Sequence, residues 1–360
     1  MSIEWRIRQF IKENGYISCD QLMREVLSSG PSSYYQHTDM LGTDGDFLTA
    51  PEISQLFGEI IGLWCIKEWQ KIGCPSRISI IELGPGRGLL MRDLLRVAKL
   101  VPEFYQAITI ELIEINPNFI TNQQTNLQDI NLPINHHLFV ENIAKTPAII
   151  IANEFFDAIP IKQYIKVKEL WYERVCTVEP LDNQIKFDKI AINKNLQDYL
   201  LQTHVEANDG AVMEESYDSI KIMQFISDHL KNLSGSCLVI DYGYDINPNY
   251  RTRNQYNSTI QAIKNHKYHP LLENLGKADL SAHVDFYALK SVAKNTGLHI
   301  IETISQREFL TQNGILLRSK ILQDKIAPAQ AKIIERQVNR LISPDQMGTL
   351  FKILQISSHD

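Results

Sequence analysis

Paired cysteines, long apolar runs and blocks of like charge are all missing from this chain, and each absence narrows what it can be. The five cysteines (Cys19, Cys65, Cys74, Cys176, Cys237) are scattered, with no C-x-x-C and no Cys/His ligand spacing. That argues against a disulfide scaffold and against a metal site, and predicts buried free thiols in a reducing compartment. No window reaches the ~20 apolar residues needed to span a bilayer. The N-terminal M-S-I-E-W-R-I-R lacks the apolar core of a signal peptide. Lys and Arg total 36 against 42 Asp and Glu, a net charge of -6 without a basic block. Nucleic acid is therefore not an expected partner, and neither is membrane insertion. A chain of 360 residues with 44% hydrophobic content can bury one large core or two modest ones. The expectation is a soluble, cytoplasmic protein of open oligomeric state.

What is present is periodic. Residues 3–29 carry helical spacing broken at Asn14-Gly15, with Ser18 placed to cap the second helix. Residues 30–51 form a long polar loop, and a long amphipathic helix follows from Ile53 to Trp69. Strand and helix then alternate: strands at 78–83, 107–115, 134–140, 148–152 and 237–240, with helices after the first two. Such alternation predicts a mostly parallel sheet covered on both faces. Strand-like pieces at 163–167, 170–178 and 184–191, followed by helical patterns at 194–207 and 216–233, interrupt it as an inserted lobe. The terminal apolar block Leu350–Ile356 reads as core or interface.

The segment Ile78–Leu90, I-S-I-I-E-L-G-P-G-R-G-L-L, is a buried strand, a glycine turn and a helix start. In α/β proteins this is where nucleotide-like ligands bind, because glycines let the backbone approach a ligand closely. Gly84, Gly86 and Gly88 follow G-x-G-x-G spacing, not the G-x-G-x-x-G of dinucleotide enzymes. Glu82 would repel a diphosphate but suits the ammonium of S-adenosylmethionine (SAM). Glu114 closes the next strand, where a carboxylate accepts ribose hydroxyls. The turn therefore predicts SAM as cofactor, with a dinucleotide oxidoreductase disfavoured by the spacing.

Four blocks carry a family likeness: G-D-F-L-T-A-P-E-I-S-Q-L-F-G-E (45–59), E-L-G-P-G-R-G (82–88), N-E-F-F-D-A-I-P (153–160) and I-D-Y-G-Y (240–244). They resemble the MidA family of SAM-dependent methyltransferases, and the likeness runs in order through most of the chain. The resemblance implies a class I, Rossmann-like methyltransferase: an α/β fold with a seven-stranded, mostly parallel sheet, an inserted lobe and an N-terminal helical segment over the cofactor. On this reading residues 1–74 hold that segment and the covering loop. Residues 75–161 start the core, 162–232 are the lobe, and 233–360 complete the core. The glycines would cradle SAM with Glu82 and Glu114, while Phe47, Thr49 and Glu52 close over it. Phe47 could equally be core, and Glu52 a first-turn acid of a helix.

Ligands in such sheets sit beyond the carboxyl ends of the strands. Asn153, expected at the cofactor, and Glu154 end one apolar strand; Asp157 lies three residues on, and Asp241 ends another strand. Carboxylates pair bidentately with a planar guanidinium. Glu154, Asp157 and Asp241 are therefore the candidate catalytic residues of a protein arginine N-methyltransferase. Asp157 could instead cap a turn, and Asp241 could satisfy backbone amides. His266 and His283 are weaker candidates for a base. The family's mitochondrial member acts on a respiratory complex I subunit, so the resemblance also implies a respiratory-complex partner. The alternative is a SAM-binding assembly factor with weak or no catalysis.

Overall fold

The computed structural model describes residues 2–28, 33–34, 49–264 and 267–359. Phe47 and His266 lie outside these. The chain groups into two compact units, one of residues 1–37, 157–220 and 244–287, the other of 38–156, 221–243 and 288–360.

The second unit is built on an open sheet. Along the main path of this eight-stranded sheet the strands are β1 (Ile78–Leu83), β2 (Ile108–Ile113), β3 (Ile134–His137), β4 (Ala148–Asn153), β5 (Gly235–Tyr244), β6 (His299–Ser305) and β7 (Phe351–Ser357). Their order across the sheet is β6-β7-β5-β4-β1-β2-β3. Every pair from β5 to β3 is parallel, and only β7 runs antiparallel to both of its neighbours. A dinucleotide fold has the order 3-2-1-4-5-6; here the last strand of the chain wedges between β5 and β6. The block that read as core or interface is thus a central strand. All six residues of β1 and of β4 are buried, the pattern of parallel strands covered on both faces.

The helix expected over 53–69 runs from Gln55 to Lys71 (α1) and packs on Leu89–Ala98 (α2). Gly58 and Gly62 permit the close approach: a Cβ on them would come within 2.7 Å of Asp93 Cβ and 2.8 Å of Leu94 O. The fully buried Glu59 of α1 is held by Arg96 at 3.2 Å and Arg318 at 2.8 Å. A third helix, α3, spans Pro117–Asn126. Among the described residues no helix is long and apolar enough to cross a membrane. The cysteines are free thiols, with Cys74 exposed and the other four buried.

In the first unit, Lys162–Val167, Leu170–Val178, Ile185–Ala191 and Val212–Glu215 form an antiparallel sheet, close to the expected strands. The lobe is not confined to 162–232. Ile17–Ser18 pairs with Val175–Cys176, and a three-stranded sheet of Gln261–Lys264, Lys267–His269 and Asp279–Ser281 belongs to the same unit. Pairing between segments more than a hundred residues apart leaves no local pattern to read. Ser18 caps the helix Cys19–Leu27, as its spacing suggested.

Candidate active site

Strand order reverses between β1 and β4, so the crevice beyond their carboxyl ends is the topological switch point where such sheets bind ligands. Both central motifs end there. The register pairs Leu83 with Ala152, which sets the glycine turn beside Asn153 and Glu154.

All three glycines of the turn adopt positive φ: 64° at Gly84, 52° at Gly86 and 75° at Gly88. Residues with a side chain are disfavoured there. A Cβ on Gly84 would sit 3.1 Å from the Phe155 ring, and one on Gly88 3.3 Å from Gln123 Cγ. The turn is held from α3: Gln123 Nε2 donates to Gly86 O at 2.7 Å, and Asn126 Nδ2 to Arg87 O at 2.8 Å.

Two buried carboxylates flank the turn. Glu82 is 3% exposed, and its Oε2 has no hydrogen-bond partner among the described residues. Burial, then the neighbouring Glu114 charge, pushes its pKa up to about 8, against a smaller opposing effect of the Met91 amide. Burial also raises Glu114, to about 7, although the Asn116 amide donates to it at 2.8 Å and Gln123 Nε2 at 3.4 Å. An orphaned buried carboxylate beside a backbone cradle fits a ligand that brings a cation and hydroxyl donors.

At the end of β4, Asn153 is 8% exposed and its Oδ1 lacks a partner among the described residues. Glu154 stands in the left-handed region with φ 49°, a strained conformation that clusters at functional sites. Its amide is pinned to Ile240 O at 2.9 Å, and its Oε1 receives the Ala50 amide at 3.3 Å and Asn153 Nδ2 at 3.4 Å. Asp241 is fully buried; Phe156 N and Tyr242 N donate to its two oxygens at 3.1 Å and 2.9 Å. It shapes the chain after β4 through main-chain amides, the structural role its position left open.

Glu52 also has structural work. Its Oε2 accepts from Thr49 N at 3.4 Å in a capping box over Ala50–Ile53, and its Oε1 faces Arg87 at 3.4 Å. Asp157 belongs to the other unit, in the turn Phe156–Ala158, where its carbonyl accepts from Ala282 N. Two residues were missed. Gln123 is fully buried and bridges Gly86 O, Glu114 and His136, the last at 3.0 Å; the only trace in the sequence is a glutamine on the inward side of α3. Phe155 lies against Gly84, and nothing in its local pattern announces it.

A switch-point glycine turn between two buried carboxylates defines an α/β protein that binds a nucleoside carrying an ammonium group. The chain belongs to the S-adenosyl-L-methionine-dependent methyltransferase family Methyltransf_28, whose profile matches residues 60–304. Curated relatives include the mitochondrial protein arginine methyltransferase NDUFAF7 of Xenopus tropicalis, 32% identical over 96% of this chain and 83% of that protein. The protein of the same name from Homo sapiens is 30% identical over 97% of this chain and 82% of its own length. Among solved structures, a COG1565 superfamily protein from Burkholderia thailandensis bound to S-adenosyl-homocysteine superposes with a TM-score of 0.84. It is 21% identical over 99% of this chain and 92% of that one, a likeness that shows the fold.

These relatives correct one expectation. They are named as mitochondrial proteins, which overturns the cytoplasmic assignment. Free thiols and the lack of a long apolar run do not specify a compartment.

The cofactor is SAM, and the raised carboxylates give its binding a pH dependence. With folded pKa values near 8 and 7 against 4.5 unperturbed, the ligand-free fold holds more protons than the unfolded chain. It therefore loses stability as pH rises from the unperturbed value toward about 8. An ammonium ligand needs Glu82 ionised, so SAM affinity is expected to climb with pH up to about 8 and then level off. The slope should not exceed about tenfold per pH unit for one group. Calorimetry across that range checks it; in Glu82→Gln the climb should flatten, and a wild-type affinity that falls with pH would contradict the assignment.

Proposed function

We propose that this protein is a protein arginine N-methyltransferase whose cofactor lies on the Gly84–Gly88 turn and whose substrate guanidinium is gripped by Glu154. The observation that carries the substrate half is the strained, pinned Glu154 at the switch point, next to the orphaned Asn153 Oδ1. The names of the curated relatives support the same reading. SAM supplies, when bound, a methyl group on a positively charged sulfur that is open to in-line displacement.

The protein's task is alignment and charge. Glu82 takes the ammonium, Glu114 the ribose hydroxyls, and Asn153 Oδ1 accepts one further donor. The Glu154 carboxylate accepts N–H bonds from the guanidinium, which fixes its plane and leaves one nitrogen pointed at the methyl carbon. The proton that this nitrogen sheds as the N–C bond forms has the same carboxylate as its nearest acceptor. Asp241 positions Glu154 through the Phe156 amide, two residues on from it. Asp157 remains a candidate second carboxylate for the substrate. The finer proposal, an arginine of a respiratory-complex subunit as acceptor, rests on the family resemblance.

The test is residue-level. Mitochondrial extract is incubated with methyl-labelled SAM and the purified protein, then hydrolysed and analysed by mass spectrometry. Label in methylarginine is expected; label only in methyllysine, methylated carboxylates or small molecules rejects the arginine assignment.

A further inference from the structure

The first unit contains a cavity of about 560 Å³ that methyl transfer leaves unused. Two of its lining residues, Glu214 and Arg251, are buried and oppositely charged, and their surroundings differ. Glu214 is fully satisfied: Gln163 Nε2 donates at 2.6 Å, Thr259 N at 2.9 Å and Thr259 Oγ1 at 2.5 Å. Arg251, only 6% exposed, sits against two aromatic rings. Its guanidinium lies 4.6 Å from the Tyr244 ring centre and 5.3 Å from that of Tyr256, and it hydrogen-bonds the Tyr244 hydroxyl. Its Nε has no partner, and among the described residues no carboxylate forms an ion pair with it.

A buried charge without a counter-ion is costly, and aromatic faces offset only part of that cost. Carboxylates lie near these rings without an ion pair to Arg251 among the described residues: Asp285 and Glu214 act on Tyr244, and Glu206 on Tyr256. Burial, then the charges of Arg251 and Lys166, holds His204 down to about 4, so the imidazole is neutral. What this wall leaves unmet is the Arg251 Nε, a buried charged donor that an acceptor oxygen would fill.

We propose that this cavity binds a carboxylate group through Arg251. A single guanidinium fork matches the two oxygens of a carboxylate. One free positive charge close to the ionisable Glu214 suits a monoanion better than a phosphate dianion. The volume exceeds what a carboxylate needs, and Ile246 and Leu271 in the lining offer apolar contact for the methylenes of an acidic side chain or a small organic acid. The site is independent of the arginine assignment.

Calorimetry and ligand-observed NMR on the full chain test it with four probes. N-acetyl-glutamate N-methylamide mimics a protein-borne acid and glutarate a free one; N-acetyl-glutamine N-methylamide is the neutral isostere, and inorganic phosphate is the rival anion. The glutamate probe is expected to bind at least about tenfold more tightly than its glutamine isostere, because the isostere leaves the buried guanidinium unpaired. Arg251→Gln should erase that preference and Arg251→Lys keep part of it, with SAM affinity unchanged in both as proof of folding. Binding of glutarate alone, dependent on Arg251, assigns the site to free acids. Equal binding of the two isosteres, phosphate preferred over every carboxylate, or no carboxylate binding at all overturns the proposal. The wild-type comparison decides the matter even if Arg251→Gln fails to fold.

Discussion

Glu154→Gln is expected to lower methyl transfer at least about a hundredfold, the scale for removing one aimed polar group from a transition state. SAM affinity should change by no more than about twofold, because the proposed cofactor contacts are made by Glu82, Glu114 and the glycine turn and not by the Glu154 side chain. The substitution is nearly isosteric. A glutamine Oε1 can still accept the Ala50 amide that now lies 3.3 Å from the carboxylate, and the main-chain bond from residue 154 to Ile240 O does not involve the side chain. The loop should therefore hold its shape. What disappears is the negative charge, and with it the bidentate grip proposed for the guanidinium. Two measurements suffice: labelled-methyl turnover under saturating SAM, and calorimetric SAM affinity. Undiminished turnover would remove Glu154 from the mechanism, whereas a joint loss of turnover and SAM binding would move it into the cofactor site.

The second large effect falls on the glycine turn. Gly86→Val should abolish stabilisation by SAM or S-adenosylhomocysteine in a thermal-shift titration. Gly86 has φ 52°, and a left-handed conformation costs a side-chain-bearing residue about 1–2 kcal/mol even before β-branching is counted. Relief of that strain requires the turn to reorganise, and Gly86 O must then leave Gln123 Nε2, now 2.7 Å away. Loss of the clamp also frees Glu114, which Gln123 helps to orient. Asparagine tolerates this backbone region better, so Gly86→Asn should retain more of the binding than valine does. A normal SAM response from Gly86→Val would mean the cofactor lies elsewhere. NAD serves as the negative control in both titrations.

Much of this could be read without coordinates, and the reason is local. The strand–turn–helix at 78–90 carries its ligand preference in consecutive residues, because positive φ demands glycine and the strand end demands a carboxylate. Glu82, Gly84, Gly86, Gly88 and Glu114 accordingly stand together around one turn. The same holds for Ser18 as a cap and for the buried strand 148–152, whose period and boundary residues are short-range signals. Asp241 shows where such reading stops. Its residue type permits a catalytic or a structural role, and only the packing of β5 beside β4 brings the Phe156 amide onto its Oδ2.

The sequence by itself determined the α/β class, the cofactor and the family, since each depends on runs of a dozen residues or fewer. Tertiary structure alone decided the rest. It set the last strand, Phe351–Ser357, antiparallel between β5 and β6, and drew Ile17–Ser18 into the sheet of a distant segment. It made Gln123 the clamp on the glycine turn, and it left Arg251 buried in a cavity wall with its Nε unpartnered among the described residues. These features arise from contacts between residues far apart in the chain, where the energy lies in the pair and neither residue type announces its partner.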